Sequence, residues 1–305
     1  MNDGLLLVDK PGGMTSHDVV GKSRRVFSRR DIGHAGTLDP MATGLLVLLM
    51  GKATKLSDFI LNGDKSYQTT VLLGCVTDTD DVTGEVLSRT EDLDITLQQV
   101  EKAISELTGT LELKVPIYSA IKVKGKKLYE KARKGEDFVP PVRQMTFKDV
   151  KLLSYENNRV NVEFHCSKGS YVRAWGKSLG EKLGCGATIE VLRRIHSQPY
   201  SVEGAISWQD LEAGSADELA NLKGWVPLNQ TLPTWPMVKI EGHDEKLLCN
   251  GQISRKLERF LELEYGGMKA LQGIKIVSKR SGRLISLLSH EAPLSFKIRR
   301  VFPNQ

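Results

Sequence analysis

The stretch from Gly33 to Gly44 carries the group best suited to chemistry, the carboxylate of Asp39. Asp39 stands before Pro40, and a residue before proline is pushed out of the α region, so we expect extended backbone there. Gly33, Gly36 and Gly44 allow backbone conformations that other residues resist. A carboxylate presented stiffly in open space indicates a reactive group facing a ligand. A plain turn also uses Asp, Pro and Gly, and the stretch alone leaves both interpretations open.

Positive charge is concentrated in three places along the 305 residues. The net charge is +6, and residues 122–134, with seven basic residues and one acidic residue, account for +6 by themselves. Two smaller clusters lie at 22–30 and 297–300. Localised positive charge favours a polyanion such as nucleic acid as a partner, although each cluster by itself also fits a solvated helix face.

The cysteines indicate whether the protein holds a metal or disulfides, and the apolar runs indicate whether it enters a membrane. The four cysteines, Cys75, Cys166, Cys185 and Cys249, form no CxxC pair and no zinc-type spacing with histidine. We therefore expect free thiols, without a metal site or a disulfide framework. The first ten residues lack the features of a signal peptide, and no apolar run reaches the ~20 residues of a membrane helix. The sequence predicts a cytoplasmic protein that does not enter a membrane.

The elements that must position Asp39 are predicted from capping residues and from the spacing of apolar residues. Thr15 or Ser16 can cap one helix and Thr96 another, and apolar residues alternate with polar ones at 160–166, as in a half-buried strand. The predicted helices cover about 16–27, 53–60, 97–108 and 171–183, and the predicted strands cover 5–8, 45–50, 66–73, 84–88, 160–166, 274–277, 284–288 and 296–301.

Two segments indicate how the chain is divided. Residues 114–143 are rich in lysine and finish in Pro140-Pro141, so we predict an excursion from the core. Pro227, Pro233 and Pro236 indicate a domain boundary. The short strands that follow them, separated by turn residues, are typical of a small β-rich second domain.

The chain carries six motifs in order over roughly residues 4–200. They are Lys10–Ser16, Gly33–Pro40, Lys65–Tyr67, Tyr118–Lys122 with the following Gly125, Tyr129, Ala132, Arg133 and Gly135, Cys166–Arg173, and Leu192–Arg194. Together they resemble the motifs of the bacterial tRNA pseudouridine synthase B (TruB) family. The remainder resembles, more weakly, a short PUA-type RNA-binding domain.

The resemblance implies a fold and a domain plan. The expected fold class is α/β (α+β): a pseudouridine synthase fold with a mixed, largely antiparallel central sheet, and a small C-terminal β-barrel of the PUA-like type. The expected catalytic domain spans 1–235, with an RNA-gripping insertion at about 114–143, and the expected RNA-binding domain spans 236–305.

The resemblance also implies a reaction, the isomerisation of uridine 55 in the T-loop of tRNA to pseudouridine. Asp39 would be the nucleophile, attacking C6 of the base or C1′ of the ribose. Arg173 would pair with that carboxylate, in the bidentate manner open to a guanidinium. Tyr67 would stack on the flipped uracil, and its hydroxyl would accept the C5 proton. The reaction involves no redox change and no net loss of atoms, so no cofactor is expected.

Further residues are expected to bind the substrate: His34, Leu192, Lys10, Lys122 and Arg133. His34 would contact the RNA where the target base leaves its stack, Leu192 would pack against that base, and Lys10 would brace the pocket. The partner is expected to be the T-loop and elbow of tRNA, bound by a monomer. Two alternatives stay open, a non-catalytic tRNA-binding or tRNA-folding protein and a guide-RNA-dependent synthase.

Overall fold

The computed structural model describes residues 3–119, 121–123, 126–128, 139–215, 219–268, 271–291 and 295–303. The strands in these ranges are β1 Gly4–Lys10, β2 Ile32–His34, β3 Thr43–Met50, β4 Lys65–Leu73, β5 Cys75–Thr77, β6 Val86–Arg89, β7 Gly109–Lys114, β8 Lys122–Val123, β9 Lys126–Lys127, β10 Val142–Glu156, β11 Arg159–Cys166, β12 Ala187–Ser197, β13 Tyr200–Ser201, β14 Trp225–Pro227, β15 Met237–Ile240, β16 Gly273–Ser278, β17 Leu284–Glu291 and β18 Ser295–Val301. The helices are α1 Ser16–Val26, α2 Ser57–Leu61, α3 Leu97–Glu106, α4 Val172–Lys182, α5 Trp208–Ala213, α6 His243–Cys249 and α7 Arg255–Tyr265.

A large sheet forms the body of the protein. Its strands follow the order β14-β1-β3-β12-β4-β11-β10-β7, with β2 paired to β3 and β13 paired to β12. Within the described ranges, β3 and β12 run parallel and every other neighbouring pair in this sheet is antiparallel. The prediction of a mixed, largely antiparallel central sheet is therefore confirmed.

An aromatic cluster on one face of the sheet fixes helices α3 and α4. Trp175 of α4 is fully buried, and its ring centroid lies 5.2 Å from that of Phe164 and 6.2 Å from that of Phe147. The indole Nε1 of Trp175 donates a hydrogen bond to the Leu107 carbonyl at the end of α3 (3.0 Å). The large buried rings provide most of the apolar contact here, and the indole hydrogen bond sets the position of α4, whose first turn carries Arg173.

Local sequence signals explain several of these elements. Thr15 caps α1 in a capping box with Asp18, and Thr96 caps α3 in a capping box with Gln99. Each box satisfies backbone donors that a helix start leaves unpaired. Leu97, the first residue of α3, is half exposed and does not join the buried face of that helix.

The C-terminal region has its own sheet, in the order β15-β16-β17-β18. Its first strand begins at Met237, and helices α6 and α7, which the sequence did not predict, pack with it around a separate core. Residues of β16 and β17, with Phe302, also pack into a cluster with β1 and β3 of the large sheet. The large mixed sheet and the separate C-terminal sheet confirm the predicted fold class, whereas the boundary at 235/236 stays a prediction.

The large sheet and its neighbouring helices differ from the sequence expectations in several places. The segment predicted as a helix at 53–60 is a 3₁₀ helix, Gly51–Leu56, followed by α2. The ends of the lysine-rich segment 114–143 belong to the sheet, because Lys114 of β7 pairs with Val142 of β10. Strand β12 lies in the middle of the sheet and was not predicted as a strand. Among the described residues, no helix has both the length and the apolar character to cross a membrane.

Candidate active site

The loop between β2 and β3 is fixed on both sides of Asp39. The Ser16 hydroxyl accepts a hydrogen bond from the Leu38 amide (2.8 Å) and donates one to the Leu38 carbonyl (3.2 Å). The Pro40 carbonyl accepts a hydrogen bond from the Gly13 amide (2.8 Å). The start of α1 and the turn after β1 therefore hold the residues before and after Asp39, as the interpretation of a presented carboxylate requires.

The carboxylate of Asp39 is paired with Arg173. Its Oδ2 lies 2.9 Å from the Arg173 Nε, and the side chains are 33% and 6% exposed, respectively. The other guanidinium nitrogens donate to protein carbonyls, Nη1 to Thr79 (2.9 Å) and Nη2 to Tyr118 (3.0 Å). The predicted partnership is present in the structure through Nε alone, while Nη1 and Nη2 each donate to the backbone of another segment.

A second carboxylate, which the sequence analysis did not assign to the site, approaches the same guanidinium. Asp81 Oδ2 lies 3.9 Å from Arg173 Nε, and the Asp81 side chain is 6% exposed. Its other oxygen, Oδ1, accepts hydrogen bonds from Thr83 and Thr79. Asp81 belongs to the acidic run at 78–81, whose composition is typical of a turn.

Tyr67 and Leu192 lie on neighbouring strands beside this pair. Tyr67 of β4 is half-buried and stands opposite Arg194 of β12, and Leu192, two residues before Arg194, is buried. Burial raises the pKa of the Tyr67 phenol, while the charge of Arg194 and a hydrogen bond with it lower that pKa and the charge of Asp39 raises it. Tyr67 therefore lies within electrostatic range of Asp39, and Leu192 lies on the adjoining strand β12.

Arg194 is a further site residue that the sequence analysis named only as part of a motif. It is 1% exposed. Its guanidinium donates to the carbonyls of Leu45 (2.6 Å), Gly36 (3.2 Å) and Thr37 (3.4 Å). The parallel pairing of β12 with β3 brings it there, and no local sequence pattern predicts that pairing.

Lys10, at the end of β1, supports the loop that carries Asp39. It is fully buried, and its ammonium donates to the carbonyls of Met14 (2.7 Å), Pro11 (2.8 Å) and Pro40 (3.3 Å). The pKa of Lys10 is lowered to about 8, chiefly by burial and also by the charge of Arg194, while the charge of Asp39 opposes the change. These three hydrogen bonds fit the expectation that Lys10 braces the pocket, and its part in substrate binding stays a prediction.

The remaining predicted residues lie at the edge of the site or outside the described part. His34 ends β2 and is half-buried, and burial lowers its pKa, with His17 and Arg194 adding to the effect. Lys122 lies in β8, but its side chain is outside the described residues, and Arg133 is outside them altogether. Among the residues described, no cluster of three His, Cys, Asp or Glu side chains is arranged to hold a metal ion.

The sequence of the chain is similar to those of known proteins over most of its length. Residues 24–172 match the model of the TruB family pseudouridylate synthase N-terminal domain, and residues 173–228 match that of the tRNA pseudouridylate synthase B C-terminal domain. The chain is 41% identical to tRNA pseudouridine synthase B of Bdellovibrio bacteriovorus over 98% of this chain and 97% of that protein. It is 39% identical to the protein of the same name from Pasteurella multocida over 82% of each.

A solved structure shows the same fold. A chain of a Cbf5-Nop10-Gar1 complex superimposes with a TM-score of 0.70 at 20% identity, covering 98% of this chain and 85% of that one.

Proposed function

The chain belongs to the TruB family of pseudouridylate synthases, and from this premise we propose that it isomerises uridine 55 in the T-loop of tRNA, with Asp39 as the nucleophile. In that reaction the N1–C1′ bond breaks and a C5–C1′ bond forms, while C5 loses a proton and N1 gains one. The atoms balance without a redox step, so a carboxylate nucleophile is sufficient. Attack at C1′ and attack at C6 both satisfy this balance.

One observation carries the proposal, the pairing of the partly exposed Asp39 carboxylate with the buried Arg173 guanidinium at 2.9 Å. A carboxylate needs no activation by a base at neutral pH, because the reference pKa of Asp is about 3.9. It does need a fixed direction, which the loop contacts and Arg173 supply. The two carbonyl contacts of Arg173 hold the cation in place when a substrate approaches.

Tyr67 and Leu192 are the proposed contacts for the flipped base. The Tyr67 ring offers a face for stacking and Leu192 an apolar wall, which offset the few kcal/mol that unstacking a base costs. Because burial raises the pKa of the Tyr67 phenol, the phenol holds its proton at neutral pH. Tyr67 can therefore accept the C5 proton only as the phenolate, after giving its own proton to solvent, and the neighbouring Arg194 cation stabilises that phenolate.

The proposed partner is tRNA, bound through phosphate contacts. The segment around Lys122 and Arg133 and the cluster at 297–300 carry much of the positive charge of the chain. His34, at the end of β2, is the proposed contact where the target base leaves its stack. Phosphate contacts make the affinity fall steeply with salt.

The test is replacement of Asp39 by Asn, with an unmodified tRNA transcript as substrate. We expect the variant to form no pseudouridine and to bind the transcript with a salt-dependent affinity close to that of the original protein. Asp149→Asn is a matched control, because Asp149 is largely exposed and Asn tolerates its left-handed backbone (φ 51°). Turnover retained by Asp39→Asn would reject the nucleophile.

Sequencing of the product tests the position and the two alternatives. Pseudouridine mapped at 55 in a bare transcript supports the proposal, and pseudouridine at another position would correct it. Activity that requires an added guide RNA would favour a guide-dependent synthase. Binding without any turnover by the original protein would favour an RNA-folding role.

A further inference from the structure

Arg194 joins the two halves of the site, the loop that carries Asp39 and the strand that carries Tyr67. Its guanidinium donates to the carbonyls of Gly36 and Thr37, which lie in the loop just before Asp39. The guanidinium also donates to the carbonyl of Leu45 in β3. The same side chain therefore binds both the Asp39 loop and the strand that follows it.

The backbone around Arg194 leaves it little freedom to move. Arg194 pairs with Gly44 of β3 on one side and with Tyr67 of β4 on the other. A Cβ built on Gly44 would lie 2.2 Å from the Arg194 carbonyl oxygen, so β3 and β12 approach more closely than a side chain permits. The side chain is also 1% exposed, which excludes the alternative of a solvated surface arginine.

We propose that Arg194 is a positioning residue, which holds the Asp39 loop in a fixed place beside the strand that carries Tyr67 for the isomerisation. This inference rests on the proposed function and adds a residue to it. Arg194 acts through Asp39 and Tyr67. A planar guanidinium suits the task because it offers five donors in a rigid fork, whereas a lysine ammonium is a flexible point charge.

The charges around the Tyr67 hydroxyl give the inference a second, independent consequence. Arg194 on β12 lowers the pKa of Tyr67, and Cys166 on β11 and Asp39 on the loop raise it. Loss of the Arg194 cation therefore leaves only influences that favour the neutral phenol. A residue with a merely structural role would not change this titration.

The test compares Arg194→Met, Arg194→Lys and a control, Arg193→Met. Arg193 is the next residue along β12, but it is about a third exposed and pairs with Asp9 at 2.7 Å, so it serves as a matched control. We expect kcat to fall by about a hundredfold in Arg194→Met, with KM within a few-fold of the original, since a misplaced reacting group costs about that much. Arg194→Lys keeps the charge, but its donors all sit on one nitrogen, whereas Arg194 contacts the three carbonyls through three separate nitrogens. We therefore expect its kcat to stay well below that of the original protein.

Titration of Tyr67 gives the second readout and needs no activity. Tyrosine absorbance is followed against pH and corrected with the matching Tyr67→Phe variant. We expect the Tyr67 titration to move to higher pH in Arg194→Met and to recover part of that change in Arg194→Lys, while Arg193→Met leaves it unchanged.

The outcomes separate the inference from the proposed function. An original protein that is inactive on tRNA defeats the proposed function. An active original protein whose Arg194 variants match Arg193→Met in kcat and in Tyr67 titration overturns the inference. If Arg194→Met does not fold, the Arg194→Lys variant provides the test. A kcat of Arg194→Lys equal to that of the original protein, together with an unchanged Tyr67 titration, also overturns the inference.

Discussion

Replacement of Lys10 by Met gives a quantitative test of how the Asp39 loop is supported. Lys10 is fully buried and its pKa is lowered from 10.5 to about 8, mainly by burial. Such a change corresponds to about 3 kcal/mol between the two protonation states. Met has a similar shape and removes both the charge and the hydrogen-bond donors.

The sign follows from proton binding in the two states. Between pH 8 and 10.5 the unfolded chain keeps the Lys10 proton while the folded protein has released it, so stability rises with pH in this window. The penalty for burying the ammonium is fully present below pH 8 and disappears as pH approaches 10.5. Integrating over pH 7.5 to 9.5, we expect the original protein to gain about 2 kcal/mol from Lys10 that Lys10→Met does not gain.

Urea denaturation at several pH values measures the effect. The loss of three hydrogen bonds to carbonyls shifts the Lys10→Met curve by a nearly constant amount, so the pH-dependent difference isolates the titration of Lys10. Lys239→Met is the control, because Lys239 is exposed, and its curve should run parallel to that of the original protein. A Lys10→Met curve that is also parallel would refute the argument that this ammonium is desolvated.

Three further predictions concern the close contacts of the site. Gly44→Ala should lose about 3 kcal/mol or more of stability in urea denaturation, because its φ is +98° and a Cβ meets the Arg194 backbone. Gly33→Ala, where a Cβ meets nothing within 4 Å, should stay within about 0.5 kcal/mol, and equal losses would contradict the packing. Arg173→Met should lose about 3 kcal/mol and its turnover, because it leaves buried partners unpaired, and a loss below about 1 kcal/mol would count against the pairing. Tyr67→Phe should bind tRNA normally but turn over at least about a hundredfold more slowly, and a rate within threefold would exclude proton transfer by the hydroxyl.

The sequence by itself determined the local elements and the group that could react. Thr15 and Thr96 cap helices as predicted, and the alternation at 160–166 gave a half-buried strand, because these signals act between residues a few positions apart. The position of Asp39 before proline also singled out one carboxylate. The assignment of Arg173 and Tyr67 came from the resemblance of whole motifs.

Only the tertiary structure decided what surrounds that carboxylate. Asp81 reaches Arg173 because the acidic turn packs beside β12, and Arg194 reaches the loop because β12 lies between β3 and β4. Strand order joins segments that are far apart in the chain, and no local pattern encodes it. Arg173 holds Asp39 through Nε, and its Nη1 and Nη2 donate to the backbone carbonyls of Thr79 and Tyr118, which only the folded chain brings together.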